Sequence, residues 1–157
     1  MEEVKIKINS VSYEVEASLF GDGELMDEPI PLEENQPRAM EISLFGHRTE
    51  KDGQMQITYT EDESTGLGGS ETAIIYNIAE KGIVTMVREG SVSTALVFEA
   101  GKRHHSVYST PYMPFTVCVH TLKVDNRIEN DGILELDYIV EIRGAQAERT
   151  KFKMELR

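Results

Sequence analysis

At 157 residues and 39% hydrophobic content, the chain has material for one domain around one substantial core, and no apolar run approaches the roughly 20 residues that a membrane-crossing helix needs. The 16 Lys and Arg residues are scattered among 28 Asp and Glu, and the net charge of −12 excludes a phosphate-backbone partner such as nucleic acid. The opening Met-Glu-Glu-Val-Lys-Ile has neither the basic start nor the apolar stretch of an export signal, and a lone cysteine, Cys118, can form no internal disulfide; the expected compartment is the cytoplasm.

Along the chain, period-two alternation dominates, placing successive side chains on opposite faces of a sheet. Val4, Ile6 and Ile8 alternate with Lys5, Lys7 and Asn9, after which the apolar set moves to Val11, Tyr13 and Val15. The slip near Asn9 and Ser10 predicts a β-bulge, one extra residue that bends the strand. Residues 21–37 then break the pattern with three of the five prolines, six acidic residues and no basic one. They predict an excursion between strands, without the ligand spacing of an EF-hand calcium loop.

Further strands are predicted at Arg38–Gly46, Gln54–Asp62, Thr72–Glu80, Ile83–Glu89, Val92–Glu99, Arg103–Thr110 and Met113–Lys123. In Ile133–Arg143, Leu134, Leu136, Tyr138, Val140 and Ile142 share one face, with Ile139 the apolar exception on the other. Thr150, Phe152, Met154 and Leu156 close the pattern as the second arm of a hairpin. Glu80-Lys81-Gly82, Glu89-Gly90-Ser91 and Ala100-Gly101-Lys102 each put glycine where a tight turn needs positive φ. No segment sustains a helical period, so at most one or two helical turns are expected. The fold class is all-β: a single antiparallel up-and-down, lipocalin-like β-barrel of about 8–10 strands spanning residues 1–157.

Four stretches of the second half carry a family resemblance: Val84-Thr85-Met86-Val87-Arg88-Glu89-Gly90, Leu96-Val97-Phe98-Glu99, Tyr108-Ser109-Thr110-Pro111-Tyr112 and Leu134-Glu135-Leu136-Asp137-Tyr138. Their order and spacing resemble the bacterial YwiB-like β-barrel family, a family of unknown function placed near the calycins, from about Gln54 to the C-terminus. The resemblance implies a lipocalin-like barrel in an intracellular bacterial protein and implies no activity. Two features depart from the family pattern: Met113 and Pro114 stand where a glycine is usual, and the acidic segment is longer. The chain also has no tryptophan, so the Gly-x-Trp of secreted lipocalins, with its lipid or haem carriage, does not carry over.

In a meander the odd-numbered strands run the same way, so the ends of strands one, three, five and seven open on one side. There the acidic segment and the Ser64–Ser70 loop would crown the mouth. Glu61 shares a face with Met55, Ile57 and Tyr59, and Arg88 with Val84 and Met86. If those faces point inward, the two charges must pair, because an unpaired buried charge is expensive. Tyr108 ends strand seven on the same side. Glu61, Arg88, Tyr108 and Tyr59 are therefore the candidate ligand-binding residues, with Arg88 suited to an anionic group.

The remaining motifs carry less chemistry. His104 and His105 are adjacent on a strand and face opposite ways, so they do not share a metal; no metal and no cofactor is expected. Cys118 and His120 share a face without a carboxylate fixed beside them, and Cys118 reads as a small hydrophobe. Thr65-Gly-Leu-Gly-Gly-Ser lacks the lysine and helix of a phosphate loop. No nucleophile and base pair is specified by spacing, which favours a small-molecule binding barrel over an enzyme. The rival reading is an interaction barrel with a filled core, forming a homodimer through outer apolar residues such as Ile75, Ala79 and Ile139. Interior volume separates the two.

Overall fold

A computed structural model describes residues 2–15, 37–61, 69–90, 92–110, 113–142 and 147–157. Ten antiparallel strands run β1 (Glu2–Val15), β2 (Arg38–Lys51), β3 (Gln54–Thr60), β4 (Glu71–Asn77), β5 (Ile83–Glu89), β6 (Thr94–Glu99), β7 (Arg103–Ser109), β8 (Pro114–Arg127), β9 (Ile133–Ile142) and β10 (Ala147–Leu156). Their spatial order is β6-β5-β4-β3-β2-β1-β10-β9-β8-β7, so every ladder joins sequence neighbours except the one between β1 and β10. That pairing turns the meander into a nearly closed barrel. Among the described residues the helical content is a 3-10 turn at Ile78–Glu80 and one short helix, α1 (Ile128–Asp131).

The ring has two thin places. Between β6 and β7, among the described residues, one bridge holds, Ser93 to Ser109, with both backbone N–H groups donating across it at 2.9 Å. The Ser106 hydroxyl adds a bond to the Ala95 carbonyl. The second lies between β2 and β3, whose ladder runs only from Lys51↔Gln54 to His47↔Thr58. Toward the mouth, among the described residues, β2 pairs with β1 alone, and a second hollow of about 510 Å³ opens beside Phe45, Thr58 and Thr60.

One end of the barrel is filled. Ile6, Met55, Ile57, Ile74, Val84, Phe98, Leu134 and Met154 are all but sealed from solvent, and Phe98 packs against Tyr138 with ring centroids 4.6 Å apart. The turns at Asp52-Gly53 and 100–102, the 3-10 turn and α1 close this end. Asp52 and Gly53 both have positive φ, the conformation of the two-residue turn that matches strand twist.

The bulge expected near Asn9 and Ser10 is not there. β1 runs in unbroken register against β10 from Ile6↔Leu156 to Val15↔Ala147, and against β2 from Glu2↔Arg48 to Ser12↔Arg38. The even-numbered face stays inward throughout, and what changes is the medium inside. Val4, Ile6 and Ile8 meet the dry core, whereas Ser10, Ser12 and Glu14 line an open cavity. On the other face, Val15, Ile139 and Ala147 form a second buried cluster with Tyr13 and Leu122 packed on it. The register shift falls instead in β8, between Thr121 and Lys123, so β8 continues past Lys123 to Arg127.

Of the three glycine turns, only Gly101 has positive φ. Gly90 is required by a close approach, since a Cβ there would lie 2.9 Å from the Ser70 Cα. Most of the acidic segment 21–37 and of the Ser64–Ser70 loop lies outside the described residues.

Candidate functional site

The strand ends at the mouth build one cavity of about 700 Å³. Meander geometry brings the last residues of β1, β5 and β7, and Glu61 just after β3, together with the first residues of β2, β6 and β10. All four sequence-predicted residues, Tyr59, Glu61, Arg88 and Tyr108, line it. The facing of Tyr108, ambiguous between Val107 and Ser109, is settled by register: Tyr108 stands on the cavity side, and Val107 faces outward and is half exposed.

The expected ion pair is present. Arg88 Nη2 donates to Glu61 Oε1 at 3.3 Å, and Thr72 Oγ1 donates to the same oxygen at 3.0 Å. Glu61 lies just beyond β3, where its N–H donates to the Ser70 carbonyl at 2.7 Å and its own carbonyl accepts from Gly69 at 3.0 Å. The carboxylate is thus fixed by backbone on both sides, with its side chain 5% exposed. The guanidinium is less committed. Its other near contact is Met86 Sδ at 3.9 Å, and its Nε is buried without a hydrogen-bond partner. Arg88 is 19% exposed, turned toward the cavity.

Around this pair stand three phenols. Burial pushes Tyr138 up to about 12, with Tyr108 adding and Arg88 opposing. Tyr59 and Tyr108 are also raised, first by burial. At neutral pH all three are protonated donors, unsuited to act as bases. Tyr76, near the filled end, is likewise pushed to about 12 by burial.

This has a pH consequence. An unfolded phenol titrates near 10, so between pH 10 and about 12 the folded state holds protons that the unfolded state has lost. The phenols' contribution to stability is complete below pH 10 and is lost as pH rises through that window. Denaturant midpoints should hold steady up to about pH 9 and fall above 10, in step with a late rise of phenolate absorbance. Normal titration of all the tyrosines near 10 would contradict this packing.

Sequence reasoning missed the opposite wall. Ser10, Ser12, Glu14, Arg38, Tyr138, Glu148 and Thr150 also line the cavity. Ser12 Oγ and Thr150 Oγ1 lie 2.9 Å apart, and Arg38 pairs with Glu148 at the rim. Their signal was in β1: polar residues at even positions after three apolar even ones mark a strand passing from core to cavity.

The other polar groups sit elsewhere. Register puts His104 opposite Val119 and His105 opposite Cys118, on alternate faces as expected. His120 and Cys118 lie on the outer face near Arg103. Burial, then the Arg103 charge, lowers the His120 pKa, and burial, then Glu141, raises the Cys118 thiol. Arg149, unremarked in the sequence, holds Asp137 with two bonds of 2.9 and 2.7 Å on the same outer face. No cluster of three or more His, Cys, Asp or Glu able to hold a metal occurs among the described residues. Among those residues, too, no helix is long and apolar enough to cross a membrane.

A family model described as a domain of unknown function, DUF1934, matches residues 29–154. No curated protein matches. Among solved structures, the crystal structure of the ywiB protein from Bacillus subtilis is similar over 98% of this chain and 92% of its own, with a TM-score of 0.64 and 16% identity. At that identity the likeness concerns the fold, and it bears out the resemblance read from the second half of the sequence.

Proposed function

The chain belongs to the DUF1934 family, whose function is unknown, and from that premise we propose that it is a non-catalytic small-molecule binding barrel whose ligand presents an anionic group to Arg88. One observation carries this reading: the interior is filled at one end and open at the other, where about 700 Å³ surrounds a guanidinium with donor capacity to spare. That volume is within the roughly 300–1,000 Å³ of ligand pockets. Three protonated phenols give the site hydrogen-bond donors and no nucleophile at neutral pH, which favours binding over catalysis. The lone, free Cys118 suits a reducing compartment, which we take to be the cytoplasm.

The rival interaction reading has less support. Ile139 is buried, and its strand β9 lies five places from β4 in the sheet order, so Ile75, Ala79 and Ile139 do not form one exposed patch. Phe45, 67% exposed beside the β2/β3 opening, is the feature that best fits a homodimer.

Native mass spectrometry of protein purified gently from its own host tests both. A stoichiometric small acid, released on denaturation, is the expected result. An apo mass at twice the chain's would transfer the function to the outer face.

A further inference from the structure

Resting on that reading, we infer that the cavity takes a compact amphipathic molecule with a single carboxylate, and discriminates against phosphate esters and other dianions. The first ground is the donor inventory. Arg88 and Arg38 are the cationic side chains on the described wall, which contains no lysine, and Arg38 is engaged by Glu148. Phosphate sites gather several converging donors and a surplus of positive charge. Here three carboxylates, Glu14, Glu61 and Glu148, face two guanidiniums.

The second ground is the state of Arg88. Glu61 already takes one of its nitrogens at 3.3 Å, and its opposite charge weakens the field that a ligand meets. Among the described residues Arg88 has no further partner beyond Met86 Sδ, so Nη1 remains to receive one acid group, with the Tyr108 phenol on the same wall. The cost of removing an ion from water grows with the square of its charge, whereas the attraction to Arg88 grows only linearly. A guanidinium already partnered by a carboxylate therefore serves a monoanion better than a dianion.

The third ground is the floor. Ile8, Ile42, Met86, Leu96 and Phe152 form an apolar base beneath the charges, while Ser10, Ser12 and Thr150 face them across the cavity. A body with an apolar underside fits, and a fully hydrated sugar or polyphosphate would leave that floor uncovered.

The test is displacement of the dye 8-anilinonaphthalene-1-sulfonate by three matched competitors: 4-phenylbutyrate, 4-phenylbutanamide and 3-phenylpropyl phosphate. The acid should displace the dye at a concentration at least tenfold below that needed by the amide or the phosphate. That preference should vanish in the Glu61→Gln/Arg88→Met double variant, which removes both charges and so keeps the fold, and should weaken in Tyr108→Phe. A phosphate or amide that competes as well as the acid overturns this inference and leaves the binding barrel standing. Failure of the wild-type protein to take up dye or any competitor, checked directly by calorimetry, overturns both.

Discussion

Replacing Arg88 with methionine is expected to destabilise the protein by about 3 kcal/mol and to weaken binding of an acid ligand by tenfold or more. The stability loss comes from what is left behind. Glu61 is held in place by its backbone bonds to Ser70 and Gly69, so its carboxylate would stay buried with Thr72 as its remaining partner. Breaking a buried pair from one side typically costs about 3–5 kcal/mol, and the partial exposure of Arg88 puts this site near the lower figure. Removing both charges, as Glu61→Gln/Arg88→Met, should return stability to within about 1 kcal/mol of the parent, because the desolvation penalty disappears with the attraction. Urea denaturation of the four proteins of this cycle separates a plug from a recognition group. If stability recovers in the double variant and affinity does not, Arg88 recognises the ligand. If affinity recovers as well, the pair only stoppers the barrel. Glu61→Gln alone should tighten binding of a carboxylate, since it hands the second nitrogen of Arg88 to the ligand.

The second large effect is expected at a residue with no charge. A Cβ at Gly46 would fall 2.4 Å from the Thr58 carbonyl oxygen, 2.5 Å from Ile6 Cδ1 and 3.2 Å from Tyr59 Cβ. Gly46 stands next to His47↔Thr58, the last pair of the β2/β3 ladder, where β3 leaves β2 and passes over the core. The nearest obstacle is backbone, so rotating a side chain does not relieve it. Gly46→Ala should destabilise by about 2 kcal/mol, after allowing for the smaller entropy of the unfolded alanine chain. For a domain of this size that is roughly a 6 °C drop in melting temperature. Trimming Ile6 to valine in the same protein should recover little, because the Thr58 contact remains. Full recovery would show that the clash is with the isoleucine alone.

The strands were legible because alternation is a direct image of a sheet with one dry face, and this barrel has one from β3 through β6 and in β9 and β10. The candidate site was legible for the same reason: Glu61 and Arg88 each continue an inward-facing apolar set, where a charge is conspicuous. Reading failed where burial stopped tracking the inside of the barrel. In β1 the interior turns wet beyond Ile8 while the outer face turns apolar at Val15, so a straight strand imitates a bulged one. In β8 the real shift at Thr121/Lys123 did leave a mark, the inward apolar set passing from Val117 and Val119 to Val124, but the predicted strand ended at Lys123, short of the residue that shows it. Gly46 shows a third limit. Its need arises from the approach of Thr58 on the next strand and of Ile6 on the previous one, which no local pattern records.

The ladder between β1 and β10 also dictates when this protein can finish folding. Ile6 pairs with Leu156, almost the whole chain apart, while most other ladders join strands linked by a hairpin or short loop. Making that pairing early would close a loop of about 150 residues, costing roughly 2 kcal/mol more entropy than closing one of about 10. Local hairpins therefore have the advantage, and the ring is sealed late. On the ribosome the first strand made must wait for the last one. Until β10 emerges, the edge of β1 that bears Ile6 and Ile8 lacks its second neighbour, and that is the interval in which a chaperone has most to offer this chain.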